Sequence, residues 1–463
     1  MSHHRGWLGR LLTAAVLAVA SGCTSLPIMV PDMGRRPAAP VQLDGSHGPL
    51  SPEQSRKILL SLARGGEDSH IFDRHLALEA HIAGSPLVVG NKVLLMQDGP
   101  ETYQRMLAAI GGATRHINME TYIIEDDEIG NRFADLLIAK QSQGVAVNLI
   151  YDSVGSIGTP TRFFKRLADA GIGLVEFNPV NPLTAGRHWE VNQRDHRKLL
   201  IVDGKVAFVG GINISSVYSG GSYRRTPRRT ANDSVPWRDT HLQMEGPVVA
   251  EFQKLFLATW AKQGGAPLAD VGYYPPLAPK GTEVVRAVGS SPDEPYSLIY
   301  VTLMSAINSA ETKVYLTNAY FVPDPQLLEA RKGAVARGVD VKLLLPSRTD
   351  SWLVFNAGRA YYSELLAAGV QIFERRDALL HSKTAMIDGV WSTVGSTNLD
   401  WRSFVHNEEI NAVILGQGFG AQMLAVFEAD LSRSHRITLD QWEQRPLSDR
   451  VKETFARMWG YWL

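Results

Sequence analysis

The chain carries one string twice. Residues 195–213 read DHRKLLIVDGKVAFVGGIN, and residues 380–398 read LHSKTAMIDGVWSTVGSTN. In each, His is followed two positions on by Lys, five beyond that by Asp, and ten beyond that by Asn. The sets are His196, Lys198, Asp203, Asn213 and His381, Lys383, Asp388, Asn398. Two copies with identical offsets, 185 residues apart, restrict the chain to a fold built from two like units.

The surroundings repeat in the same order. A strand over 116–124, a helix over 131–144 ending in Gly, a buried strand over 145–152, a helix, a strand and then the first string make one unit. A strand over 312–321, a helix over 325–338, a strand over 339–346, a helix, a strand and the second string make the other. Strands alternating with helices predict an α/β class, each unit a mixed sheet flanked by helices, paired as a pseudo-twofold bilobal body. The units are expected over 88–265 and 280–440, joined by a Pro-rich stretch. A Pro-rich tether is expected over 23–50, a helical segment over 51–87 and a helical tail over 441–463. Ser51-Pro52-Glu53-Gln54 has the form of a capped helix start, with Ser as cap and Gln at the capping-box position.

His and Lys two apart on a strand share a face. Asp203-Gly204 and Asp388-Gly389 favour a two-residue hairpin turn. With that loop, His196 faces Gly211 and His381 faces Ser396, and each Asn lies one diagonal step from its His. The small residues opposite each His then leave room for a substrate. Asp203 and Asp388 sit at the turns, in orienting rather than proton-transfer roles. Lys and Asn stabilise charge on non-bridging phosphate oxygens. One His is suited to attack phosphorus and the other to serve as general acid and base. Each unit thus supplies half of one phosphodiester site. No His/Cys/Asp cluster has metal-ligand spacing, so neither metal nor cofactor is expected.

Charge and the single cysteine limit partners and place. The 47 basic and 47 acidic residues balance, which weighs against a nucleic-acid partner. Cys23 is the only cysteine, so an intramolecular disulfide is excluded. Arg5 and Arg10, an apolar run over 11–20 and Ser21-Gly22-Cys23 form a lipoprotein-type signal over 1–22, with acylation at Cys23. The alternative is an uncleaved N-terminal anchor. Either places the body in the cell envelope, on a membrane surface and facing the periplasm. Thr24 after the cysteine resembles outer-membrane sorting.

The pattern H-x-K-x₄-D-x₆-G-[GS]-x-N, present twice, resembles the phospholipase D superfamily, and the bacterial cardiolipin synthases within it. The stretches 237–249 and 394–404, and NEEI over 407–410, are similar to that subfamily's motif regions. The resemblance implies two phospholipase D-like domains, a metal-independent two-step reaction and a phosphohistidine intermediate. It further implies a carboxylate that orients each His, by position Asp239 and Glu409, with Glu408 a competitor for the second. By analogy His196 is the nucleophile. The implied activity is phosphatidyl transfer with phosphatidylglycerol as substrate, forming cardiolipin. The alternatives are a phospholipase D releasing phosphatidic acid, or a nuclease of the same fold. Between Asn213 and Asp239 lies a segment with Arg224, Arg225, Arg228, Arg229, Tyr218, Tyr223 and Trp237. It is either a headgroup-binding pocket mouth or a solvated loop. Arg402 either contacts substrate phosphate or forms a structural salt bridge. Oligomeric state is not read from the sequence.

Overall fold

The computed structural model describes residues 41–63, 84–181, 190, 192–222 and 235–463. The expected lipidation signal with Cys23, and the Arg224 and Arg225 cluster, lie outside the described residues.

The first half runs β3 (Leu87–Gln97), α2 (Asp98–Gly111), β4 (His116–Thr121), α3 (Glu128–Ser142), β5 (Ala146–Asp152), α4 (Thr161–Asp169) and β6 (Gly173–Phe177). It continues with β7 (Arg194–Asp195), β8 (Lys198–Val202), β9 (Val206–Gly210), β10 (Trp237–Arg238), β11 (Thr240–Glu245) and α5 (Val249–Lys262). Before these come β1 (Leu43–Gly45), β2 (Gly48–Pro49) and α1 (Pro52–Ala63). The second half repeats the plan. It comprises β12 (Glu283–Ser290), α6 (Leu298–Ser309), β13 (Lys313–Thr317), β14 (Phe321–Val322), α7 (Pro325–Ala336), β15 (Asp340–Pro346), α8 (Trp352–Arg359), α9 (Tyr362–Ala367) and β16 (Gln371–Arg375). There follow β17 (Leu379–Leu380), β18 (Thr384–Ile387), β19 (Trp391–Gly395), β20 (Leu399–Asp400), α10 (Trp401–Val405), β21 (Asn407–Leu415) and α11 (Gln417–Leu431). The chain closes with β22 (Ser434–Ile437), α12 (Leu439–Glu443) and α13 (Leu447–Arg457).

The pairing makes the repeat literal. In the first half the order β6-β5-β4-β8-β9-β11-β3 has parallel neighbours among β6, β5 and β4 and antiparallel ones elsewhere. The second half has the same scheme as β16-β15-β13-β18-β19-β21-β12. β3 and β12 then pair antiparallel, Val88 opposite Val285, so the halves share one continuous sheet. A mixed sheet with βα crossovers needs both faces covered. Each half has its own apolar core, and a third cluster mixes Phe252, Phe256 and Val209 of one half with Phe427, Leu344 and Val394 of the other. Arg238 and Asp430, both buried, pair across the junction at 2.9 Å.

Three local expectations meet the structure. The capping box forms: Ser51 N–H donates to Gln54 Oε1 at 3.0 Å, and Gln54 N–H donates to Ser51 Oγ at 3.2 Å. The tether does not extend to residue 50, because β1 pairs with β3 and Leu43 is fully buried in the second core. The Asp-Gly hairpins are one residue longer than expected. Val202 pairs with Val206 and Ile387 with Trp391, leaving Asp203–Lys205 and Asp388–Val390 as three-residue loops. Asp203 and Asp388 take φ of 54° and 51°, ahead of Gly204 at 64° and Gly389 at 68°. Asp is among the few non-Gly residues that enter this left-handed region, and here each carboxylate is held by backbone N–H groups of a distant strand start, residues 114–116 or 311–313.

Candidate active site

Both histidines stand just outside the regular ladder, each docked on the opposite half. β7, which leads into His196, pairs parallel with β21, and His196 N–H donates to Glu408 O at 2.9 Å. β17, which leads into His381, pairs parallel with β10, and His381 N–H donates to Arg238 O at 2.8 Å. In each case a carboxylate follows the accepting residue: Glu409 after Glu408 on β21, and Asp239 just beyond Arg238 at the end of β10. His196 Nδ1 lies 3.1 Å from both oxygens of Glu409, and His381 Nδ1 lies 2.7 Å from Asp239 Oδ2. The orienting carboxylates are therefore exchanged between halves: the first half's His uses the second half's Glu, and the converse.

An ionised carboxylate only accepts, so each imidazole must donate its Nδ1–H. That leaves Nε2 as the ring nitrogen for chemistry. Burial would raise both carboxyls. For Glu409, His196 and then Lys198 reverse this, and for Asp239, His381 and then Lys383 do, so both are held below the ordinary range. Burial lowers His196 to about 4 despite the charge of Glu409, with Lys198 adding to the fall. His381 is also lowered, first by burial and then by Lys383, against the pull of Asp239. The two histidines share a cleft of about 510 Å³ between the halves.

Asn213 and Asn398 line that cleft beside Tyr218, Tyr122 and Arg194. Asn213 accepts from Ile123 N–H at 3.2 Å and donates to Tyr218 Oη at 3.1 Å, and that hydroxyl is 3.3 Å from His381 Nδ1. Tyr122 meets His196 edge-on at 5.1 Å, and Trp237 lies 5.1 Å from His381. Lys198 and Lys383 are buried behind the histidines, and their ammonium groups donate to the carbonyls of His196 and His381. Burial lowers Lys198 to about 7 and Lys383 to about 8. Among the described residues no three His, Cys, Asp or Glu side chains cluster as a metal site.

The comparisons with known proteins agree with this geometry. The family described as "Cardiolipin synthase, PLD-like domain" matches residues 106–219 and 303–431, more than half of the chain. A cardiolipin synthase of Alkalihalophilus pseudofirmus is 34% identical over 411 residues, spanning 88% of this chain and 78% of the relative. Cardiolipin synthase 2 of Bacillus anthracis is 36% identical over 368 residues, spanning 78% and 69%. The chain belongs to the PLD-like cardiolipin synthase family. It is a phospholipase D-superfamily phosphatidyltransferase. Its fold matches phosphatidylserine synthase of Haemophilus influenzae Rd KW20 with a TM-score of 0.60 at 12% identity, over 83% of this chain and 98% of that one.

Within this family member, the sequence-predicted residues separate by location. His196, His381, Asn213, Asn398 and Arg402 line the cleft. Asp239 and Glu409 stand directly behind the rings. Glu408 is drawn away, to Arg197 at 2.7 Å and Lys262 at 2.5 Å. Asp203 and Asp388 lie off the cleft. Asp203 accepts from the backbone N–H groups of Thr114, Arg115 and His116, and Asp388 from those of Glu311, Thr312 and Lys313. These turn carboxylates fix each hairpin to the start of β4 or β13. The expected room opposite the histidines is filled. A Cβ at Gly211 would lie 2.3 Å from Asp239 Oδ1, and Ser396 Oγ donates to Glu409 at 2.5 Å. The small residues admit the orienting carboxylates, not the substrate. Arg402 donates to Asn192 Oδ1 at 3.3 Å and has no carboxylate partner among the described residues.

Sequence reasoning missed Tyr122, Arg194, Tyr320 and Asp350, which line the cleft. Arg194 is two residues before His196 on the docked strand, so its spacing could have marked it. Tyr320 donates to Asp350 at 2.6 Å, a contact between loops that no local pattern announces.

Proposed function

We propose that the protein makes cardiolipin from two molecules of phosphatidylglycerol, through a phosphohistidine on His196, while held on a membrane through Cys23. The observation that carries this reading is the exchanged pair of His–carboxylate contacts across one cleft. His196 remains unprotonated far below neutral pH, so its Nε2 lone pair is available to attack phosphorus. The P–N bond forms as the bond from phosphorus to the glycerol oxygen breaks. His381, as the imidazolium, gives its Nε2 proton to the departing glycerol. Burial opposes that charge in the free protein; the Asp239 carboxylate and an anionic phosphodiester favour it. In the second step the hydroxyl of another phosphatidylglycerol attacks the phosphohistidine, its proton passes to His381, and the P–N bond breaks. Protons balance over the cycle, and glycerol and cardiolipin leave.

Asn213, Asn398 and Arg402 supply donors for the phosphate oxygens, with Lys198 and Lys383 adding positive charge from behind. Asp203 and Asp388 act by anchoring the hairpins. Arg224 and Arg225 remain candidates for headgroup binding.

The test is incubation of the purified protein with labelled phosphatidylglycerol, with and without chelator. Cardiolipin with released glycerol, unaffected by chelator, is expected. Phosphatidic acid alone would replace transfer with hydrolysis, and loss of activity in chelator would overturn the metal-independent steps.

A further inference from the structure

Helix α13 has its amphipathic faces reversed relative to a helix packed on a core. Its buried residues are Glu453, paired to Arg445 at 2.8 Å, and Ala456. Its apolar residues face outward: Leu447, Val451, Phe455 and Met458 are between 52% and 76% exposed. Their spacing of four, four and three places them on one stripe, as in an amphipathic helix. Trp459 and Trp462 continue it beyond the helix, and exposed Trp352 stands on α8, against which α13 packs. By the same spacing Arg450 and Arg457 flank the stripe on one side and Lys452 on the other, all exposed.

The stripe runs to the mouth of the active-site cleft. Trp462 and Leu463 line that cleft, and Leu463 O accepts from Arg402 N–H at 2.9 Å. From the first half, Val154 lines the same cleft and nearby Ile157 is 71% exposed. Contiguous exposed apolar surface marks an interaction site. Here its aromatic end, its flanking cations and its continuity with the cleft select the occupant. Trp favours the membrane interface, and Lys and Arg stems extend along apolar surface while their charges reach anionic headgroups.

We propose that the α13 stripe, with Trp459 and Trp462, is a docking face for an anionic phospholipid surface. It lies in the interface plane and brings the cleft mouth to the headgroups. This rests on the lipid-substrate reading above and extends it. The acyl chain on Cys23 tethers the protein, whereas this face orients it.

The test uses the full chain with Cys23→Ser and one new cysteine, V451C or F455C, carrying an environment-sensitive fluorophore. Q422C, at an exposed position of α11, is the control. With phosphatidylglycerol vesicles, a blue shift is expected at 451 and 455 and none at 422. Equal shifts at all three sites, or none at 451 and 455, overturn the proposal. So does a shift that appears without vesicles and grows with protein concentration, which assigns the stripe to a second copy. Separately, V451E/F455E/M458E is expected to raise the half-saturating vesicle concentration by about tenfold or more, from the loss of buried apolar area. Turnover of monomeric short-chain phosphatidylglycerol should stay unchanged, and an equal loss there refutes docking as the cause. If the unaltered protein turns over neither substrate, the catalytic reading fails, while the fluorophore still reports on docking.

Discussion

Glu409→Gln isolates the charge of one exchanged contact while keeping its shape. In the resting site His196 is neutral, and attack on phosphorus makes its ring cationic. The Glu409 carboxylate, fully buried and 3.1 Å from Nδ1, therefore gains most of its attraction as the reaction proceeds. Two unit charges about 4 Å apart at an effective dielectric near 20 interact by about 4 kcal/mol. Part of that is offset because Gln still offers Nδ1–H a neutral hydrogen bond worth about 1 kcal/mol. The expected net loss of transition-state stabilisation is about 3 kcal/mol, or roughly a hundredfold in kcat/KM. The amide oxygen can still accept from Asn407 Nδ2–H, and the amide NH2 can donate to Ser396 Oγ, whose own proton has Ile410 O as acceptor at 3.3 Å, so the fold should hold. The assay is single-turnover formation of the labelled phosphohistidine, alongside steady-state transfer. Glu408→Gln is the comparison, since Glu408 serves Arg197 and Lys262 instead. A loss under about fivefold for Glu409→Gln, outside the error expected of a buried charge, would refute the argument. So would an equal loss of intermediate formation per folded molecule in Glu408→Gln.

Gly211→Ala should force the Asp239 carboxylate off His381 and lower kcat per folded molecule, with overpacking costing about 1–3 kcal/mol of stability; unchanged kcat per folded molecule would count against Asp239 as the group that positions His381. Asp203→Ala should cost about 1–3 kcal/mol of stability, read by denaturant unfolding, because the buried His116 N–H loses its acceptor while those of exposed Thr114 and Arg115 can turn to water, and activity per folded molecule should survive. Relative to His241→Gln, the protein should lose thermal stability as pH falls from about 6.5 toward 4, because an unfolded histidine takes up a proton near 6.5 whereas folded His241 does so only at about 3; buried Glu120 and Asp400, raised to about 7 and about 6, act oppositely but equally in both proteins. Tungstate binding near pH 8 should be accompanied by proton uptake, seen by calorimetry in buffers of different ionisation enthalpy, because an anion in the cleft restores charge to Lys198 and Lys383, lowered to about 7 and 8.

The doubled string carried much of the architecture, because its offsets are set by strand geometry and so imply two superimposable halves. It also placed His196, His381, Asn213 and Asn398 on one cleft. What it could not carry was pairing between halves. Asp239 and Glu409 followed from the family pattern, but their exchange depends on β7 meeting β21 and β10 meeting β17. The hairpin register shifted by one because Asp203 and Asp388 bond the ends of distant strands, a tertiary demand on the loop. The proline density around Leu43 reads as a tether, and a three-residue strand leaves too short a pattern to compete with it until β3 supplies its partner. The reversed face of α13 was legible in its spacing, but only burial distinguishes an outward stripe from a core-facing one.

The central claim is one site from two halves, with His196 carrying the phosphatidyl group. Its most direct measurement is acid-free quenching of the enzyme during turnover of phosphatidylglycerol labelled at phosphorus, followed by peptide mapping. A phosphatidyl adduct on His196 that is absent in His196→Ala and slowed in Glu409→Gln is the expected result. An adduct on His381, or turnover with no adduct in a protein whose His196→Ala variant remains active, would contradict it.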